Sequence, residues 1–201
     1  MDPTIEFGAE SWFRPRRDLP RVYEDVAMSN YSILYYAASA SEHIGIVRSQ
    51  IGMNQHSQLE LPFFFLQVCV ENVKTLHSTS RQLLGRLHAP CNLPKHPEKV
   101  YRVIGAYRNA FTHDPVMGRA TTHGREMIPP VEMLPRRGAN RQFLRWSQTE
   151  AIPSEQMVDG LLCLEGIWNQ LTEFLQKLSC ALSACFETAR ATETFQRETG
   201  L

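Results

Sequence analysis

Within the run "AYRNAFTHDP" (106–115), three side chains of complementary chemistry stand close together: Arg108, Asn109 and His113. A guanidinium offers a permanent charge and a fork of donors that suits phosphate oxygens. An imidazole takes or gives a proton near neutral pH. A carboxamide one turn away can hold the ring in orientation. Together they form a minimal kit for cleaving RNA through its own 2′-hydroxyl, with no metal or cofactor called for. One chain supplies one such histidine, whereas acid and base roles ask for two groups. A twofold pairing of chains would bring the second.

The elements around the trio decide where it points. Residues from Pro97 to His113 read as a helix that must stop before Asp114-Pro115, because the residue ahead of a proline is biased away from helical backbone. Counting about 100° per residue from Val100, the apolar Val103, Ile104, Tyr107 and Phe111 fall within roughly 60° of it. On that wheel Arg108 lies near about 80°, Asn109 near about 180° and His113 near about 220°. Asn109 and His113 are neighbours at i,i+4 on the face away from the core, and Arg108 sits at its edge.

Three further helices are expected. One covers about 30–51, with Tyr31, Leu34, Tyr35, Ala38, Gly45 and Ile51 on one side. A second opens at Pro62 and carries Leu66, Cys69, Val73, Leu76, Ser80, Leu83 and Leu87 at steps of three and four until the prolines of "APCNLPKHP" (89–97) end it. The last begins after Ser154, a candidate N-cap, and runs Met157, Leu161, Leu164, Trp168, Leu171, Leu175, Leu178, Leu182, Cys185, Ala189 in unbroken 4-3 alternation. No stretch shows sustained strand alternation. Residues 1–29 read as an N-terminal arm, and 114–153 as a long, proline-bearing connection with short extended pieces at "MIPPVEML" and "NRQFLRW". Residues 30–195 are expected to be one helical domain.

An R-x4-H spacing with a polar residue after the arginine, late in the third helix of a helical bundle, resembles the motif of the HEPN superfamily. "RNAFTH" (108–113) carries that resemblance, and the insertion at 114–153 is long for such a domain. The resemblance implies an all-α, four-helix HEPN-like bundle, with Arg108, Asn109 and His113 at the family's functional positions. It also implies a homodimer in which two motifs meet, and metal-independent endoribonuclease activity in a toxin, defence or stress effector, with RNA as substrate and an antitoxin or regulatory protein as partner. A non-catalytic HEPN-like binding or scaffold protein, whose trio serves dimerisation, is the alternative.

Charge and composition constrain the partners. The chain of 201 residues holds 21 basic and 21 acidic residues, so its formal charge is zero. The distribution is uneven: 58–113 carries seven cations against three anions, and 114–145 six against three, so a basic middle could draw a polyanion. Arg136, Arg137, Arg141 and Arg145, interleaved with Phe143 and Trp146, form a candidate nucleic-acid track. Five cysteines make no CxxC pair, which suits a reducing compartment. His77, His88, Cys91 and His96 match no common metal spacing and read as solvated loop residues. The acidic N-terminus lacks the apolar stretch of a signal peptide, and the run from Leu61 to Val70 is too short to span a bilayer. A cytoplasmic protein with no membrane partner is expected.

Overall fold

The computed structural model describes residues 19–51, 59–113, 119–120, 124–134 and 152–200, with the side chains of 113, 119 and 120 excepted. These residues are mostly helical. Five α-helices are present among them: α1 Arg21–Ser49, α2 Glu60–Arg86, α3 Glu98–His113, α4 Gly160–Arg190 and α5 Glu193–Thr199. Between α3 and α4 lie three short strands, β1 Arg119–Ala120, β2 Glu126–Ile128 and β3 Val158–Asp159, in antiparallel order β1-β2-β3. Met127 is opposite both Arg119 and Asp159, and Ile128 pairs with Val158.

Three of the expected apolar stripes are the buried ones. All seven positions of the α2 stripe are buried, as are Val100, Ile104, Tyr107 and Phe111 of α3 and the stripe positions of α4 from Leu164 to Ala189. The α1 stripe is a correction. Tyr31, Tyr35 and Ile51 are exposed, while Tyr23, Val26, Ile33, Ala37, Ala40, Ile44 and Val47 are buried. This helix is apolar on both sides, so periodicity alone does not select the inner one. The helix also starts at Arg21, inside the expected arm, with the Tyr23 N–H donating to the Pro20 carbonyl at 2.9 Å.

The helix N-terminus expected at Ser154 is likewise displaced. Ser154–Gln156 is a single 3-10 turn, and α4 begins only at Gly160. Asp159 is the cap: its Oδ1 accepts from the Leu162 N–H at 3.0 Å, satisfying one of the helix's orphan donors. The expected extended piece "MIPPVEML" resolves into β2 followed by a 3-10 turn at Val131–Met133. "NRQFLRW" lies outside the described residues.

Contacts gather into two compact units. Within Met1–Tyr36, Val68–Pro97 and Leu171–Leu201, the described residues bury Tyr23, Ile33, Leu76, Leu83, Leu178 and Phe186. Here α5 is fastened by its own sequence. Thr192 caps it by accepting from the Phe195 N–H at 3.2 Å, and Gly200 closes it in left-handed backbone. Phe195 packs edge-on against Tyr23. Glu198 then accepts from the Tyr23 hydroxyl at 3.0 Å through Oε2 and from Arg86 through Oε1.

The second unit spans Ala37–Gln67 and Glu98–Gln170. Its core joins Ile44 and Val47 of α1, Leu59, Phe63 and Leu66 around the start of α2, the inner face of α3, and Leu164, Ile167 and Trp168 of α4. Gly160 is needed where β2 meets α4: a Cβ there would lie 2.5 Å from Leu59 Cδ1 and 3.0 Å from the Glu126 carbonyl oxygen.

Candidate functional site

The end of α3 is held by its buried face. Phe63 lies against two rings of this helix, Tyr107 at a centroid distance of 5.0 Å and Phe111 at 5.7 Å. Aromatic pairs at such separations contribute beyond the area they bury. The Tyr107 hydroxyl, buried with its ring, donates to the Pro129 carbonyl at 3.0 Å. One hydrogen bond thus ties α3 to the segment that follows β2. Burial, with Cys163 close by, drives this phenol far above its ordinary pKa, so it remains a neutral donor.

On this fixed backbone Arg108 is half-buried and Asn109 exposed. Arg108 Nη1 donates to Asn109 Oδ1 at 3.1 Å, and Thr112 Oγ1 donates to the Arg108 carbonyl at 2.8 Å. The carboxamide expected to hold the imidazole in orientation has its oxygen engaged by the guanidinium, and its N–H2 group carries two donors. His113 is the last residue of α3, and its side chain lies outside the described residues. So do Arg136, Arg137, Arg141 and Arg145. Lys99 and Arg102, exposed on the same helix, add two cations to the unit. The carbonyl end of α3 carries the helix's negative pole, which favours cations such as Arg108.

Two groups of side chains escape a reading by motif. His77 and His96, taken as solvated loop residues, lie together instead. Their ring centroids are 4.3 Å apart, and His77 Nε2 lies 3.2 Å from the Pro94 carbonyl. Burial lowers the His77 pKa, the Pro94 contact opposing it. No group of three or more His, Cys, Asp or Glu is arranged to hold a metal among the described residues.

The other is Glu126 on β2. Its Oε2 is buried without a hydrogen-bond partner among the described residues, and burial pushes the carboxyl from its ordinary 4.5 up to about 7. Beside it Arg125 Nη1 donates to Asp159 Oδ2 at 3.0 Å. Nothing in the string "GREMI" announces a buried carboxyl, since burial here is made by α1 and α4, which are distant in sequence. No helix among the described residues is long and apolar enough to cross a membrane. No family model, curated protein or solved structure matches the chain.

Proposed function

We propose that the chain is a HEPN-like, metal-independent endoribonuclease acting as a homodimer. In this reading Arg108 grips the scissile phosphate and His113 moves the proton between the 2′-hydroxyl and the leaving oxygen. Asn109, bonded to Arg108, holds the guanidinium in place. The observation that supports it most is the end of α3. There the Arg108–Asn109 pair is displayed on the outer side of a helix whose inner side is anchored by Phe63, Tyr107 and Phe111. Preorganised charge at a developing phosphorane accounts for much of the rate gain in phosphoryl chemistry. The 2′-oxygen attacks phosphorus, the 5′-oxygen leaves, and the products are a 2′,3′-cyclic phosphate and a 5′-hydroxyl. A second chain provides the complementary His113. The role as a toxin, defence or stress effector, with an antitoxin or regulatory protein as partner, belongs to the same proposal.

Incubation with generic RNA in EDTA tests it, with His113→Ala and Arg108→Ala in parallel. Cleavage by the wild type that falls at least about 100-fold in both variants is expected, the size of one lost acid–base or charge-stabilising group. Asn109→Ala should lose less. Wild-type protein that leaves RNA intact across pH and salt, yet dissociates into monomers on Arg108→Ala, would favour the scaffold reading instead.

A further inference from the structure

We propose that Glu126 is a proton-operated latch: with the carboxyl protonated β2 stays seated against the first turn of α4, and loss of the proton loosens that seat. The inference concerns the sheet alone and does not rest on nuclease activity. Its basis is the placement of one acidic side chain at a close-packed joint.

The joint is tight in the backbone. The Glu126 carbonyl oxygen and Leu59 leave no room for a Cβ at Gly160, so β2 and the start of α4 sit almost in contact. Glu126 lines a cleft with Val47 of α1, Ile51 just beyond that helix and Leu161 of α4, which offer neither charge nor side-chain donor, and with the charged Arg125 and Asp159. The charged neighbours are already committed to one another. Arg125 is paired with Asp159, which also caps α4 through its other oxygen. Arg48 of α1 is paired with Glu165 of α4 at 2.7 Å. On the remaining side β1 offers the backbone of Ala120, opposite Glu126 in register, and Glu132 acts on Tyr107 and Cys163. Among the described residues Oε2 is left without a partner.

With Oε2 buried, a carboxylate there loses water and, among the described residues, gains no paired cation, so ionisation costs more than in the opened state, where water solvates it. The carboxyl favours its neutral form in the closed state, so closure is most stable below the ordinary value of 4.5. That advantage is lost as pH rises toward about 7. Over that window the opening equilibrium climbs by as much as about tenfold per pH unit. Because Tyr107 bonds to Pro129, the residue directly after β2, the chain that leaves the latch is tied to α3.

Amide hydrogen exchange on the full chain at pH 5 and pH 8, corrected for intrinsic exchange, tests the latch. Wild-type protection of residues 126–128 and 158–162 should fall by about tenfold or more between the two, and in Glu126→Gln by less than about twofold. Equal wild-type protection at both pH values overturns the proposal, as does an equal fall in the variant. Should Glu126→Gln not fold, a carbon-detected NMR titration of wild-type Glu126 decides. A midpoint near 7, with protection falling as pH rises from about 4.5 toward it, supports the latch, and one near 4.5 overturns it.

Discussion

Tyr107 illustrates how one residue serves two layers of the protein. Its ring is sealed between Phe63 and the rest of the α3 core, while its hydroxyl donates to the Pro129 carbonyl, itself buried. Removing only the oxygen withdraws a donor from a buried acceptor and leaves the packing intact. Tyr107→Phe should therefore lower stability by about 1–3 kcal/mol, read as a shift of the urea midpoint with unchanged slope. The neighbouring Arg108 and Asn109 were legible as outward-facing because helical periodicity carries direction. Their mutual hydrogen bond was not, since adjacent helix positions diverge by about 100° and meet only through long side chains. Glu126 was illegible for a different reason. A strand of three residues is too short to show alternation, and a carboxyl's desolvation depends on elements the local sequence does not contain.

At the scale of elements, the ends are the informative places. The α2 helix stops in a Schellman-type turn, in which the Ala89 N–H reaches the Leu84 carbonyl at 2.9 Å and the His88 N–H reaches Gly85 at 3.1 Å. The turn requires left-handed backbone at His88, which has φ 53° without being glycine. His88→Gly should raise stability by up to about 1 kcal/mol, seen as a higher melting temperature, because the exposed imidazole contributes little and the strain is relieved. Stops of this kind are well signalled by prolines, as 89–97 shows, and the long apolar stripes of α2, α3 and α4 dictate their own buried faces. Starts were harder. Ser154 and Asp159 are both good caps, and only the β3 pairing of Val158 and Asp159 with β2 decides that the helix waits for the second. In α1 two competing apolar faces made periodicity ambiguous. The α5 helix, seven residues long, lacks a stripe and depends on its Thr192 cap and on Glu198.

For the molecule as a whole, the thiols give a direct test of the packing. Cys69 and Cys185 are buried, Cys163 is half-buried, Cys91 and Cys180 are exposed, and none is in a disulfide. Burial pushes Cys69 up to about 12 and so removes it from thiolate chemistry at neutral pH. Alkylation of the native protein by iodoacetamide, followed by peptide mass spectrometry, should mark Cys91 and Cys180 first and Cys69 and Cys185 only after unfolding. Added reductant should leave the melting temperature unchanged. The fastening of α5 carries one more consequence, for birth on the ribosome. Tyr23 and Glu198 are 175 positions apart. At about 5–20 residues per second, the phenol waits roughly 10–35 s after it is polymerised before its partner exists. Until α5 is translated, a nascent chain therefore holds Tyr23 without the ring of Phe195 and the carboxylate of Glu198.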